Sequence, residues 1–181
     1  MAQSQLAYMR IEKGSKVFYT GHINVRNIVV EAKKFLRLAA ASPALIFPSE
    51  RQTQERSSYY NALIGKIRDG FPTQYMTHLP SMNHIFDDLS IKDRKTAIQE
   101  YEALLGIENL DLRIAPEAFT SCAINEGYTL VLLKSPNARR SMVFRTAKNP
   151  HYLEVFDDMF AISMGKREDH ERILKQWKSD T

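Results

Sequence analysis

VRNIVVEAKKFLRLAAASP, residues 25–43, decides how the rest of the chain is read. The apolar period changes once within it. Val25, Ile28, Val29, Ala32, Phe35 and Leu36 recur at helical spacing while Arg26, Lys33, Lys34 and Arg37 fall on the opposite side. That pattern predicts an amphipathic helix packed on a core. From Leu36 small and apolar residues run through Ala41 and Ser42 to Pro43, which lacks the amide needed to continue a central strand. A helix feeding a strand of small residues is a unit of an α/β sheet, and small side chains let a helix or a ligand approach closely.

Upstream, Leu6–Ile11 and Lys16–Thr20 alternate apolar and polar residues around Lys13-Gly14-Ser15, as a hairpin does. Downstream, Pro48–Ser58 is polar and charged and reads as a surface loop. Tyr60, Leu63, Ile64 and Ile67 then mark a helix closed by Gly70. Thr73–Leu79 reads as a strand broken by Pro80-Ser81-Met82-Asn83. Ser90 and Asp93 form a capping box for a helix with an Ala97, Ile98, Tyr101, Leu104 and Leu105 stripe, ended by Gly106. Leu110–Ile114 is a short strand.

After it the sequence predicts a meander of Phe119–Ile124, Tyr128–Lys134 and Ser141–Thr146, with turns at Asn125-Glu126-Gly127 and Ser135-Pro136-Asn137. Asn149-Pro150 opens a helix that presents Leu153, Phe156, Met159, Phe160 and Ile162 to the sheet. Glu168–Trp177 is a charged helix whose Ile173, Leu174 and Trp177 dock on the domain or on a second subunit. The expected division is a hairpin over 1–21, an α/β domain over 22–165 and a helical tail over 166–181. Crossover helices between parallel strands, followed by antiparallel ones, give a three-layer α/β/α mixed sheet.

With 44% apolar and 10% aromatic residues in 181, a substantial core is expected. No apolar run approaches the roughly 18 residues of a membrane span, and Met1-Ala2-Gln3-Ser4-Gln5 lacks the marks of a signal peptide. Cys122 is the lone cysteine, which fits a reducing cytoplasm. The net charge of +4 permits contact with anions. The glycines stand singly, with no phosphate-cradling loop, no G-x-S-x-G elbow and no Cys/His metal spacing, so neither cofactor nor metal is implied.

The order of elements over residues 22–164, with its meander and closing helix, resembles one half of the phospholipase D-like fold, in particular the effector-binding domain of TrmB-type transcription regulators. Active members of that superfamily carry His-x-Lys and then Asp near the start of the meander, where histidine attacks phosphorus and lysine neutralises the oxyanion. The corresponding stretch here reads Ala118-Phe119-Thr120-Ser121-Cys122-Ala123-Ile124-Asn125-Glu126, without histidine or lysine. The resemblance therefore implies a regulatory domain without phosphodiesterase chemistry, a homodimer completing a two-lobed fold, and a small-molecule effector. About twenty residues precede the first helix, too few for a winged helix, so DNA contact would come through a separate or missing domain.

Ligands of α/β sheets bind beyond the C-terminal strand ends, which points to Ser42, Pro43, Glu50, His78 and Pro80 as pocket residues. Two further readings stay open. A phosphoesterase with a non-standard site would use His78, His84, Asp87 and Asp88. A nucleic-acid binder would use Arg139 and Arg140, the densest basic group outside a helix, whose guanidinium forks suit phosphate. His22, His151 and His170 read as structural or surface residues, and Asp157-Asp158 diverge by about 100° on a helix and cannot serve one metal. Cys122 has no base in sequence to lower its pKa, and an inert thiol is expected.

Overall fold

The structure, a computed structural model, describes residues 8–10, 16–18, 22–133, 140–148 and 150–181. In chain order the elements are β1 (Tyr8–Arg10), β2 (Lys16–Phe18), α1 (His22–Glu31), β3 (Leu36–Ala40), a 3-10 turn at Pro48–Arg51, α2 (Gln54–Arg68), β4 (Thr73–His78), α3 (Leu79–Asp87), α4 (Ile91–Leu105), β5 (Leu110–Ala115), β6 (Cys122–Ile124), β7 (Tyr128–Leu133), β8 (Arg140–Arg145), α5 (His151–Ile162) and α6 (Arg167–Ser179).

Among the described residues the strands form one eight-stranded sheet in the order β1-β2-β8-β7-β6-β3-β4-β5. β3, β4 and β5 are parallel, as helical crossovers require, and β6 turns antiparallel beside β3. β7 and β8 continue the antiparallel part, which the β1–β2 hairpin extends. The expected mixed sheet is present.

Strand alternation divides the core into two layers. Leu36 and Leu38, Tyr75, Leu112 and Ile114 point to the side where α1, α2, α3, α4 and α6 pack in one large cluster. Ala39, Met76, Ala115 and Ile124 point to the other, where Phe156 and Phe160 of α5 cover them. Trp177 of α6 is buried at the centre of the large layer, stacked on Phe86 at 4.3 Å and donating its indole N–H to Asn83 Oδ1 at 3.1 Å. Ile173, Leu174 and Trp177 thus dock on the domain itself.

Several local expectations are corrected. Pro48–Ser58 is no open loop: it holds the 3-10 turn and the first turn of α2, whose N-cap Thr53 accepts the Arg56 N–H at 3.2 Å. Gln52, Thr53, Gln54 and Glu55 are exposed, so composition concealed the helix. Pro80-Ser81-Met82-Asn83 ends β4 but starts α3, because a proline in a first helical turn presets φ and forfeits only an amide that has no partner there. Asp87 closes that helix and Asp88 caps it. The strand expected from Phe119 begins at Cys122. Ile162, expected to face the sheet, is 77% exposed at the end of α5. Two expectations hold in detail: Ser90 caps α4 through the Asp93 N–H, and Gly70 takes a left-handed φ of 85° after α2.

Candidate functional site

The C-terminal ends of β3 and β4 lie side by side, with Ala40 opposite Thr77, and this sets the place of the predicted pocket residues. His78 ends β4 half-buried, its Nδ1 2.8 Å from Ser81 Oγ in the first turn of α3. Its ring meets Phe119 edge-on, centroids 6.3 Å apart. Ser42 and Pro80 are exposed, whereas Pro43 is buried and its carbonyl accepts the Ile46 and Phe47 N–H groups, each at 3.1 Å. Thr77, on the helical side of the same strand end, is fully buried with no hydrogen-bond partner for its hydroxyl.

Glu50 belongs to a neighbouring polar group. Its carboxylate accepts from Arg56 Nη1 at 2.9 Å, and Tyr75 feels its charge. Burial raises the Tyr59 and Tyr75 hydroxyls far above the ordinary tyrosine range, so both stay protonated. Arg51 holds this corner together. It donates to the Ala44 and Leu45 carbonyls at 2.7 and 2.8 Å, reaches Glu100 at 3.3 Å and stacks 3.4 Å over the Tyr60 ring. Sequence reasoning passed over Arg51, Tyr59 and Tyr75, because their convergence arises from a turn it read as an open loop.

The strip 118–126 passes the ends of β3 and β4, Phe119 against His78 and Ser121 at Ala41, and runs into β6. Ser121 Oγ accepts the Ala41 N–H at 3.3 Å and its carbonyl accepts the Leu132 N–H at 2.8 Å. Burial pushes the Cys122 thiol up to about 12, which leaves it protonated and unreactive at neutral pH. Asn125, almost fully buried, donates to the Ile28 carbonyl at 2.9 Å and accepts the Gly127 and Tyr128 N–H groups at 2.8 and 2.7 Å. Glu126 accepts the Lys33 and Lys34 N–H groups. Its burial works against ionisation, but these amides outweigh it and the carboxyl sits below its ordinary pKa. The polar groups of Ser121, Asn125 and Glu126 are thus engaged by the fold.

The phosphoesterase candidates separate. His84 lies 3.8 Å from Asp88 as an exposed i,i+4 pair, and Asp87 is also exposed. Among the described residues no group of three or more His, Cys, Asp or Glu side chains is placed to hold a metal. His151 pairs with Glu154 on the surface, while His170 is buried in α6. Arg139 lies outside the described residues, and Arg140 is described only as the backbone that opens β8.

No family model matches the chain, and no curated protein does. Among solved structures, the archaeal chromatin protein TrmBL2 superposes with a TM-score of 0.57 at 10% identity over 87% of this chain and 56% of its own. NucT from Helicobacter pylori gives 0.55 at 11% identity over 84% of this chain and 98% of its own. Nuc from Salmonella typhimurium, a phospholipase D family member, gives 0.55 at 13% over 86% and 99%. The fold is phospholipase D-like. This chain therefore spans just over half of TrmBL2 and nearly all of NucT and Nuc. Identities this low speak for the phospholipase D-like architecture alone and carry no activity with them. No described helix is long and apolar enough to cross a membrane.

Proposed function

We propose that this chain is a non-enzymatic ligand-sensing and oligomerisation domain of a transcription-regulatory protein, working in the cytoplasm as a homodimer. The observation behind this reading is the strip 118–126: it carries neither histidine nor lysine, its cysteine is held protonated by burial, and Ser121, Asn125 and Glu126 are spent on the fold. A small-molecule effector would bind at the ends of β3 and β4, among Ser42, Pro43, His78 and Pro80, with Glu50 on the adjoining polar corner. On this reading DNA contact would come through another domain or chain. TrmBL2, an archaeal chromatin protein of the same fold with a novel mode of DNA binding, supports that class of partner.

The test is thermal unfolding of the purified chain against a broad metabolite panel. A ligand that binds only the folded state raises the midpoint, and His78→Ala is expected to abolish that rise. A panel that shifts nothing contradicts the reading. The His78–Ser81 hydrogen bond favours a second reading, a phosphoesterase with a non-standard site, because a paired imidazole and hydroxyl are the parts of a nucleophile and its base. On that reading His78→Ala removes turnover rather than a ligand-induced shift.

A further inference from the structure

α5 is held to the sheet by less than α2, α4 or α6 is held to the domain. Two of its twelve residues, Phe156 and Phe160, are buried, against four of fifteen in α2 and in α4 and four of thirteen in α6. Pro150 occupies its N-cap position and has no side-chain oxygen to offer the first-turn amides. Val155 and Ile162 are 39% and 77% exposed.

The seat beneath it is a small group. Phe156 and Phe160 stack at 5.4 Å and lie on Ala39, Met76, Ala115 and Ile124, with Leu153, Met159, Phe119 and Cys122 half-buried around them. Two arginines of the sheet reach up to the helix. Arg37 of β3 pairs with Asp157 at 2.6 Å and lies 5.9 Å from the Phe156 ring centre. Arg113 of β5 donates to the Phe160 carbonyl at 2.9 Å and lies 4.2 Å from that ring centre. Asp157 is 49% exposed, so solvent weakens its pair.

The chain is fixed on either side of this helix. Upstream, the Thr146 hydroxyl donates to the Asn125 carbonyl at 2.9 Å. Downstream, Met164 exchanges two backbone hydrogen bonds with Ile114, at 2.8 and 2.9 Å. An element with few buried contacts between two pinned ends is the kind that leaves its seat while its neighbours stay folded. Phe119 joins that seat to the strand ends, because it packs in the group beneath α5 and meets the His78 ring edge-on.

We propose that α5 is a strap that undocks from the sheet as a unit while the helices of the large layer stay folded, and that Phe119 couples its seating to the strand-end crevice at His78. Undocking bares Ala39, Met76, Ala115 and Ile124, an apolar patch that the seated helix covers. The motion itself needs no effector; its use in sensing rests on the reading above, in which the crevice binds one.

The experiment is residue-resolved hydrogen exchange of the full chain, comparing amides 155–162 of α5 with 97–104 of α4 in the regime where closing outruns intrinsic exchange. In the parent, the α5 amides are expected to exchange about a hundredfold faster or more than those of α4, through one shared opening. Ile67→Val, a small trim in the large layer, is expected to quicken α4 about fivefold and leave α5 unchanged, because the undocked state keeps that layer intact. His78→Ala, which acts on α5 through Phe119, is expected to quicken α5 about threefold. Equal exchange of the two helices overturns the strap, as does an Ile67→Val variant that quickens both alike, since either means release only on global unfolding. Protection that falls gradually from the middle of α5 to its ends marks fraying and overturns it too. A His78→Ala variant whose α5 exchanges at the parental rate overturns the link to the crevice. These readouts use no effector, so they fail separately from the sensing reading.

Discussion

The two faces of the sheet are built unequally. On one, side chains from α1, α2, α3, α4 and α6 merge into a single cluster that reaches from Val25 to Trp177. On the other, α5 lies alone on a small group centred on Met76, Phe156 and Phe160. Stability therefore resides mainly on the crowded face, and the sparse face is a local cover over Cys122 and its neighbours. α6, set apart as a tail by its charged sequence, is a structural member of the crowded face.

The largest effect is expected from Trp177→Ala, which empties the space between Phe47, Phe86 and Tyr101 and leaves Asn83 without its donor. It should cost about 3–5 kcal/mol in chemical denaturation. Phe156→Ala, on the sparse face, is expected to cost less, about 3 kcal/mol, at the lower end of what buried aromatics give because few residues surround it. A Phe156 variant less stable than the Trp177 variant would break the comparison.

Asn125→Ala comes next. It strips three internal hydrogen bonds from the β6–β7 turn and leaves the Ile28 carbonyl and the Gly127 and Tyr128 amides without that partner. A loss of about 2 kcal/mol is expected in the same denaturation series. The smallest effect concerns pH. The folded-state pKa of His170 is depressed, chiefly by burial, so the stability tied to its neutral form is complete above the unfolded value of about 6.5 and is lost as pH falls below it. The stability gap between the parent and His170→Gln should therefore narrow on acidification below pH ~6.5. A gap that widens there contradicts the assignment of a buried neutral ring.

Much of the fold was legible because its decisive segments carry a single period. The stripe Val25, Ile28, Val29 and Ala32 is buried as read, and so are Leu36, Leu38 and Ala39 of the strand after it. What was hidden depends on partners distant in sequence. α3 has its proline at a position that both ends a strand and starts a helix. The first turn of α2 shows only polar residues because its apolar contacts begin at Tyr59. The polar corner of Glu50, Arg51, Tyr59 and Tyr75 combines a turn, a helix and a strand, and no spacing in one segment announces it. A positional rule puts His78 at the end of β4, and the strand does end there. His170 and Leu105 line one cleft although they are 65 positions apart, since they meet only when α6 folds back on α4.

The proposed absence of phosphodiester chemistry in this phospholipase D-like domain is checked by incubating the purified chain with bis(p-nitrophenyl) phosphate, with and without divalent metal ions, and following nitrophenolate release. Release no faster than in buffer alone is expected. Turnover that copurifies with the chain and vanishes in His78→Ala would contradict it.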